Sequence, residues 1–492
     1  MLLLGIDLGT SSIKVSIVDS ANGQTVSTAQ YPDTETSISS PHVGWAEQDP
    51  EMWWQNTQQA IKKAINNGNL APHRIAAIGI SYQMHGLVLL DKNAQVLRPS
   101  IIWCDSRAVG QGEKAFESIG EQNCLSHLLN SPGNFTASKL AWVKENEPEV
   151  YAKIDKIMLP GDFLAQRFTG QNTCSNSGLS EGIFWDFKTN TISTEILSYF
   201  GFSESFFPEI KPVFAEHGQL NALIAGDLGL RAGIPITYKA GDQPNNALSL
   251  NVLEPGEVAA TAGTSGVVYA VTDQVAFDPQ SRVNTFAHVN HQLENNQNRL
   301  GVLMCINGTG ILNRWVKDNF GNGLTYALMN EIGSQAPIGS AGLNVIPFGN
   351  GAERIFNNKT LGGKFSKIDF NIHNQSHIFR ATQEGIAFSL KYGMDIMVAT
   401  GNSPKVIRAG KANMFLSKIF TETIVNTTGV PVEMYDTDGA KGAALGAGIG
   451  LGLYKTPKEA FTNMQKIAVI EPDSKLSEQY KSAFESWKEE IL

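Results

Sequence analysis

A short turn near the start of the chain combines the residue types that bind a metal-complexed phosphate. In GIDLGTSSIK, residues 5–14, Asp7 ends an apolar run, and Thr10 and Ser11 follow a glycine. Such a turn exposes backbone N–H groups and hydroxyls that can hold phosphate, and the Asp7 carboxylate could hold a hydrated Mg²⁺. The alternative interpretation of the same residues is an ordinary β-hairpin turn.

A matching turn occurs half a chain later, in ATAGTSG at residues 260–266. Its glycines allow close backbone approach, and the Thr264 and Ser265 hydroxyls can donate to a phosphate. Two such turns facing each other would form a phosphate clamp between two domains. The alternative is a second hairpin in a duplicated fold.

Asp242, in KAGDQPNNAL at residues 239–248, follows a strand-like ITYKAG segment. Ligands of open α/β sheets bind at the carboxyl ends of strands, so the pattern places this carboxylate where a ligand would be. A carboxylate there can accept the proton of a hydroxyl whose oxygen attacks phosphorus. The alternative is that Asp242 only caps a helix starting at Pro244.

Two polar loops carry groups suited to a polyhydroxylated ligand. YQMHG, residues 82–86, offers Gln83 and His85 after the apolar IAAIGIS segment. WCDSR, residues 103–107, offers Trp103 for stacking and Asp105 for hydroxyls. These donors and acceptors predict a sugar-like ligand, although a single loop histidine is often only a surface group.

Two glycine-rich segments in the second half could approach a nucleotide. RAGKANM, residues 408–414, ends a predicted strand and places Asn413 near the start of the next helix. DGAKGAALGAG, residues 438–448, has small residues that would let a ribose or a base press against backbone. Close helix packing through small side chains is the alternative for the second segment.

The elements that must position these residues alternate between strand and helix, which predicts an α/β fold. Apolar strands are expected around residues 2–8, 12–19 and 75–81, and a helix from Asp49, which can cap it before Pro50. Further helices are expected over about residues 377–400, 413–428 and 439–455, and a polar C-terminal helix from about Ser477. The strand–turn–strand pattern restarts near residue 256. This repetition predicts two halves built to one plan, each with a hairpin near its start, and a boundary within 245–255.

Composition excludes several classes of protein. The chain has 492 residues and a formal net charge of −9, without Lys/Arg blocks, so neither a nucleic-acid partner nor a membrane partner is expected. Four scattered cysteines without Cys-x-x-Cys spacing predict a reducing cytoplasmic location and no zinc site. The sequence also has no P-loop and no Gly-x-Gly-x-x-Gly motif after its first strand.

In order along the chain, these motifs resemble those of the FGGY carbohydrate kinases. The resemblance covers residues 2–455 and includes GIDLGTSSIKVSIVD, VGWAEQDPEMWW, YQMHG, WCDSR, the Gly-Asp of Asp242, ATAGTSG and KGAALGAG. It implies an α/β fold of two ribonuclease-H-like (actin-like ATPase) domains flanking a deep cleft. Residues 1–248 would form the sugar side and residues 249–492 the nucleotide side.

The resemblance also implies roles for individual residues. Asp242 would be the catalytic base, and Asp7 would hold Mg²⁺. The substrate-binding residues would be Met84, His85, Gln83, Asp105 and Gln243. The ATP-binding residues would be Thr10, Ser11, Thr264, Ser265, Gly310, Gly410 and Asn413. Three segments depart from the family pattern. Arg408-Ala-Gly-Lys-Ala-Asn413 replaces Gly-Gly-Gly-Ala-x-Ser, Gln243 replaces a common Asn, and Gly-Ala-Glu353-Arg354-Ile replaces Ser-Gly-Glu-Arg-Thr.

The implied activity is ATP-dependent phosphorylation of a ketose, with D-xylulose the expected acceptor and D-xylulose 5-phosphate the product. ATP and Mg²⁺ are the expected cofactors, a small sugar the expected partner, and a homodimer an assembly that the resemblance allows. The alternatives are a kinase for ribulose, glycerol or gluconate, and a non-catalytic actin-like nucleotide switch. A switch would need the two phosphate turns but neither Asp242 nor the Gln-Met-His-Gly loop.

Overall fold

The computed structural model describes residues 1–293 and 296–491 and divides into two compact α/β units. The first unit consists of Met1–Leu253, Phe286–Leu300 and Thr437–Met464. The second consists of Glu254–Thr285, Gly301–Asp436 and Gln465–Leu492. Two segments from the second half of the sequence therefore pack within the first unit. The expected division of the chain into residues 1–248 and residues 249–492 stays a prediction.

The first unit contains a five-stranded sheet whose first three strands are parallel and whose last three are antiparallel neighbours. Its strands lie in the order Ile236–Gly241, Ile75–Tyr82, Leu2–Leu8, Ile13–Asp19 and Thr25–Tyr31. Shorter strands are Glu47–Gln48, Val88–Leu90, Ser100–Ile101, Lys156–Met158, Thr173–Cys174, Trp185–Asp186, Thr191–Ile192 and Glu209–Ile210.

Eleven α-helices and three short 3₁₀ helices complete the described part of the first unit. The α-helices are Pro50–Asn67, Val109–Ile119, Glu121–Leu128, Thr136–Asn146, Pro148–Tyr151, Pro160–Thr169, Asn176–Glu181, Thr194–Phe200, Ala222–Leu228, Asp242–Ser249 and Gly439–Gly450. The 3₁₀ helices are Pro72–Arg74, Glu204–Phe206 and Pro457–Phe461.

The described part of the second unit contains five α-helices and most of a seven-stranded sheet, in which Phe286, Ala287 and Leu300 fall within the residue ranges of the first unit. The sheet order is Asn284–Ala287, Leu300–Ile306, Gly266–Thr272, Glu257–Ala262, Val406–Gly410, Val432–Tyr435 and Lys466–Ile470. The helices are Gly310–Phe320, Tyr326–Gly333, Gln375–Ala399, Lys418–Thr428 and Ser474–Lys488. A two-stranded sheet, Asn344–Phe348 with Gly362–Ser366, and the 3₁₀ helices Ser340–Gly342, Arg354–Phe356 and Asn413–Leu416 complete it.

The predicted duplication is confirmed by the strand pairing. In the first unit, Leu2–Leu8 pairs antiparallel with Ile13–Asp19 and parallel with Ile75–Tyr82. In the second, Glu257–Ala262 pairs antiparallel with Gly266–Thr272 and parallel with Val406–Gly410. Each phosphate-turn motif therefore joins the first two strands of its own sheet.

The helix expected after Asp49 forms because its start and its face are both encoded locally. Asp49 accepts a hydrogen bond from the backbone N–H of Glu51 at 2.9 Å, and Pro50 occupies the first helical position. Trp53, Ile61 and other apolar side chains at helical spacing are buried against the first sheet.

The small-residue helix Gly439–Gly450 packs on the first sheet through backbone-to-backbone contact. A methyl group built on Gly5 would lie 1.9 Å from the Ala440 carbonyl oxygen, and one on Gly79 would lie 2.0 Å from that of Ala443. Only glycine allows so close an approach. Close packing is therefore the observed use of these small residues, and the helix ends at Gly450 rather than near residue 455.

Two helices of the second unit begin at residues other than the expected ones, because local caps set where they start. The segment expected as one helix over 413–428 is a 3₁₀ turn, Asn413–Leu416, followed by the helix Lys418–Thr428. Ser417 separates them because its hydroxyl accepts from the Phe420 N–H at 3.4 Å as the N-cap. The C-terminal helix starts at Ser474 rather than Ser477, since Asp473 caps it.

The longest helix, Gln375–Ala399, has 25 residues and crosses the interior of the second unit. Its buried charges are paired: Arg380 Nε donates to Glu384 Oε1 at 2.7 Å. Among the helices of the described chain, none is both long enough and apolar enough to span a bilayer.

Candidate active site

Asp7 lies at the carboxyl end of the central strand of the first sheet. It is in register with Ser81 of the parallel neighbour, whose hydroxyl donates to Asp7 Oδ1 at 2.8 Å. Burial and the nearby Asp438 carboxylate raise the pKa of Asp7. Gly439 lies against the other oxygen, because a methyl group on it would be 2.5 Å from Asp7 Oδ2. The fold thus fixes a partly desolvated carboxylate beside a second one.

Asp242 follows the last residue of the strand Ile236–Gly241 and is the first residue of the next helix. The helix-cap interpretation of this aspartate is wrong, because Gly241 occupies the N-cap position. Burial, and then the charge of Asp7, raise the pKa of Asp242 to about 7, while hydrogen bonds from Gln243 oppose the shift. Asp242 is half-buried, and a carboxyl group with this pKa can act as a general base near neutral pH.

Thr10 belongs to a group of hydrogen bonds that joins four segments of the chain. Its hydroxyl donates to Gln83 Oε1 at 3.1 Å and accepts from Trp103 Nε1 at 2.9 Å. Gln48 Nε2 donates to the Thr10 carbonyl at 2.8 Å, and Gln48 Oε1 accepts from Gln83 Nε2 at 3.1 Å and from Trp53 Nε1 at 3.0 Å. Gln83 is therefore tied to the phosphate turn from within the core.

His85 has a left-handed backbone, with φ of +64°. Its ring makes edge contacts with Phe135 at 4.8 Å between centroids and a tilted contact with Phe286 at 5.6 Å. The preceding Met84 is buried, and its side chain packs against Gly241, where a methyl group would be 2.6 Å from Met84 Cγ. The loop thus places Met84 beside the strand end that precedes Asp242, and the His85 ring among Phe135 and Phe286.

Lys139 supports the 82–86 loop through a hydrogen bond to its backbone. Its fully buried ammonium donates to the carbonyl oxygens of His85 at 2.9 Å and of Ile102 at 3.0 Å. Burial lowers the pKa of Lys139 to about 7, and the charge of Asp105 opposes that shift. A buried lysine that bonds two loop carbonyls fixes the positions of both loops.

Asp105 is fully buried, and its side chain is engaged within the first unit. Its Oδ2 accepts from the Ala46 backbone N–H at 2.6 Å and from Arg107 Nε at 2.9 Å. Its Oδ1 accepts from the Arg107 backbone N–H at 2.8 Å. These contacts attach the WCDSR loop to the segment before Gln48, so Asp105 shapes the loop that presents Trp103.

The phosphate turn of the second unit contacts the start of the helix Gly310–Phe320. Gly310 donates its backbone N–H to the Gly263 carbonyl at 2.9 Å, and Ile311 donates to the Thr264 carbonyl at 3.1 Å. A methyl group on Gly310 would lie 2.2 Å from that Gly263 oxygen. Glycine at residue 310 is thus required for the turn and the helix to meet.

A cavity of about 510 Å³ opens beside this turn within the second unit. Three of the predicted nucleotide residues line it: Thr264, Gly310 and Asn413. Asn413 has a left-handed backbone, with φ of +52°, and Arg314 and Tyr326 line the cavity too. The volume lies in the range of small-molecule pockets.

The other predicted ATP-binding residues do not line this cavity. Ser11 is exposed, and its carbonyl accepts from the Thr36 N–H at 2.8 Å. Ser265 hydrogen-bonds the Cys305 thiol. Gly410 ends the strand Val406–Gly410 immediately before the 411–413 turn, and its carbonyl accepts from the Ala412 N–H at 2.8 Å.

Sequence reasoning missed the contacts that four residues make around these segments: Gln48, Lys139, Gly439, and Glu181, whose backbone carbonyl lies 3.0 Å from His85 Nδ1. Gln48 lies within the WAEQDPEMWW motif and was detectable as part of it. Lys139 and Glu181 belong to helices that carried no motif, and their burial is a product of tertiary packing. Their contacts with the 82–86 loop span at least 50 residues of sequence.

Comparison with known proteins shows that two family models together match most of the chain. The model of the N-terminal domain of the FGGY family of carbohydrate kinases matches residues 2–249, and that of the C-terminal domain matches residues 258–453.

Similar relatives span nearly the whole chain. A xylulose kinase of Escherichia coli (strain K12) is 30% identical over 447 residues, covering 90% of this chain and 88% of the relative. A xylulose kinase of Bacillus subtilis (strain 168) is 28% identical over 499 residues, covering 99% and 96%. The crystal structure of a "xyloylose kinase" from Brucella ovis superposes with a TM-score of 0.89 at 27% identity, covering 99% and 98%.

Proposed function

The chain belongs to the FGGY family of carbohydrate kinases, and we propose that it transfers the γ-phosphoryl group of ATP to D-xylulose, giving D-xylulose 5-phosphate and ADP. The enzyme class, a phosphotransferase with an alcohol acceptor, comes from the family. The choice of D-xylulose is supported by the relatives, which carry that substrate in their names.

Asp242 carries the mechanistic part of the proposal. It stands at a strand end with its pKa raised to about 7 by burial and by Asp7, beside the 82–86 loop. The sugar hydroxyl oxygen forms a bond to the γ-phosphorus, the bond from that phosphorus to the ADP oxygen breaks, and the hydroxyl proton passes to the Asp242 carboxylate. Gln243 hydrogen-bonds this carboxylate and so fixes its orientation.

The first-unit residues orient the acceptor. We assign the sugar contact to Met84, His85 and Gln83, whose positions are set by Gly241, Lys139 and Gln48. Asp105 contributes through the Trp103 loop that it anchors. Holding the acceptor oxygen near the phosphorus accelerates transfer because it removes the entropy of encounter.

The donor set around Asp7 fits Mg²⁺, although no group of three or more His, Cys, Asp or Glu within residues 1–293 and 296–491 forms a metal cluster. Asp438 contributes to the raised pKa of Asp7, and Asp7 contributes to that of Asp242, so a cation held by Asp7 would offset the repulsion between these carboxylates. Mg²⁺ in phosphotransferases keeps several waters and takes one or two carboxylates. When bound, it neutralises charge on the phosphate oxygens. Asp7 would hold it.

We assign the second-unit cavity to the nucleotide. Its lining combines the Thr264 turn, the Gly310 helix start and Asn413, which offer a hydroxyl, a position without a side chain and a side-chain amide to a nucleotide. Thr10, Ser11, Ser265 and Gly410 stay predicted ATP-binding residues. Lys411 departs from the family pattern and is exposed two residues before Asn413. Of the departures, it is the one that we expect to change the nucleotide preference most directly.

The cytoplasm is the proposed compartment, supported by four free cysteines, and the homodimer stays a prediction. Light scattering coupled to size-exclusion chromatography measures the molecular mass directly. A mass near 53.3 kDa would identify a monomer and contradict the dimer.

A coupled ADP-release assay with MgATP tests the function. D-xylulose is expected to stimulate ADP release strongly over a no-sugar control, and over ribulose, glycerol and gluconate. Turnover preferring one of those acceptors would retain the kinase and replace the substrate. ATP binding without any acceptor-stimulated turnover would favour the nucleotide switch and contradict the proposed function.

A further inference from the structure

Glu181 is a buried carboxyl group directly beneath the end of the strand that carries Asp242. It is the last residue of the short helix Asn176–Glu181, and it is 2% exposed. A methyl group built on Gly241 would lie 2.5 Å from Glu181 Oε2 and 2.6 Å from Met84 Cγ. The glutamate side chain therefore fills the space between the catalytic strand end and the sugar loop.

Glu181 also contacts His85 at two points. Its backbone carbonyl accepts a hydrogen bond from the His85 Nδ1 position at 3.0 Å. Its carboxyl group accepts from the His85 backbone N–H, and the Tyr82 hydroxyl hydrogen-bonds the same carboxyl. A non-glycine residue in the left-handed region is strained by about 1–3 kcal/mol, so His85 needs such restraints to remain at φ +64°.

The surroundings of Glu181 disfavour a negative charge. Burial is the main reason that its pKa lies well above the usual value, followed by the charges of Asp242 and Asp162. Asp162 is paired with Lys239 at 2.6 Å, and the ammonium of Lys139 lies close enough to Glu181 for their charges to interact. Glu181 Oε1 is buried without a hydrogen-bond partner among the described residues. A neutral carboxylic acid tolerates this site far better than a carboxylate.

We propose that Glu181 is a positioning residue for the acceptor sugar, which acts as a neutral carboxylic acid of defined length to hold His85 and the Asp242 strand end in register. This inference rests on the proposed function, because its readout is the affinity for the ketose. Glu181 acts through His85 and Asp242, and shortening its side chain should weaken sugar recognition while leaving nucleotide binding intact.

Two conservative variants separate length from charge. Glu181→Gln keeps the length and the neutral state, whereas Glu181→Asp keeps the carboxyl group but shortens the side chain by one methylene. We expect Glu181→Gln to keep kcat and the ketose KM within about threefold of the wild type. We expect Glu181→Asp to raise the ketose KM by about tenfold, as lost hydrogen bonds to a loop would, with the KM for ATP unchanged.

Glu384→Gln is the matched control, because it also replaces a buried glutamate of raised pKa but lies in the second unit, paired with Arg380. It should lower the melting temperature and leave the ketose KM unchanged. Melting temperatures of all variants report whether they are folded.

The inference is overturned if Glu181→Asp recognises the ketose as well as Glu181→Gln does. This outcome includes the case in which both variants are impaired to the same extent and the case in which both behave as the wild type. Absence of ketose-dependent ADP release in the wild type itself would instead refute the proposed function, so the two failures are distinguishable.

Discussion

Gly439 lies in contact with the carboxylate of Asp7, although the two residues are 432 positions apart in the sequence. A methyl group at residue 439 would be 2.5 Å from Oδ2, 2.8 Å from Cγ and 3.1 Å from Oδ1 of Asp7. Gly439 also starts the helix that packs on the central strand of the first sheet. The absence of a side chain at 439 is therefore what allows Asp7 its observed position.

Gly439→Ala is expected to displace the Asp7 carboxylate. Because a misplacement of about 1 Å can cost about 100-fold in rate, we expect kcat to fall by ~10–100-fold and the Mg²⁺ requirement to rise. Steady-state kinetics with titrated MgCl₂ measure both. Gly226→Ala, also within a helix but facing open space, is the control and should keep wild-type kinetics. Unchanged Mg²⁺ dependence in Gly439→Ala would contradict the assignment of Asp7.

Asp242→Asn should remove the general base while preserving the shape of the site. Loss of such a base lowers kcat by about 10²–10⁴-fold, and sugar binding should survive in part. Single-turnover ADP release measures the chemical step, and isothermal titration with the ketose measures binding. Turnover at the wild-type rate would exclude Asp242 from proton transfer.

The rate should depend on the protonation of Asp242. Since the base works only when deprotonated and its pKa is raised to about 7, kcat/KM should fall as pH drops below that value. An ordinary aspartate would show this limb near pH 4. Asp7→Asn removes a negative charge and should shift the limb to lower pH, whereas Gln243→Leu removes a hydrogen bond and should shift it to higher pH. Shifts in the opposite directions would refute this electrostatic account.

Lys139→Met should weaken ketose binding by releasing the His85 carbonyl. Loss of a charged hydrogen bond of about 1.5–3 kcal/mol predicts a ketose KM raised by ~10–100-fold, with the KM for ATP little changed. Lys144→Met on the same helix is a close control, because Lys144 also donates to backbone carbonyls, at 2.6 Å to Phe200 and 2.8 Å to Gly201. An equal rise in both Michaelis constants for Lys139→Met would indicate a general structural role.

Gly310→Ala should act on the nucleotide side alone. The added methyl group would lie 2.2 Å from the Gly263 carbonyl oxygen, so the phosphate turn and the helix start must separate. We expect the KM for ATP to rise by about tenfold or more, with the ketose KM as the internal control. A selective rise in the ketose KM would contradict the assignment of the cavity to the nucleotide.

The sequence by itself predicted the features that depend on neighbours along the chain. The hairpins around both phosphate turns, the helix capped by Asp49 and the strand that ends before Asp242 follow from hydrophobic period, turn residues and caps. The order of the motifs was enough to predict the family. Small shifts in helix ends came from local caps such as Ser417, which compete with periodicity.

Tertiary structure alone decided how the predicted site residues are held and which charge states they have. Contacts such as Lys139 with His85, or Glu181 with Gly241, join helices and strands that no local pattern relates. The same holds for the pKa of Asp242, since burial and the distance to Asp7 exist only in the folded chain. Local propensity follows from the order of residues, whereas desolvation and electrostatic coupling depend on three-dimensional proximity.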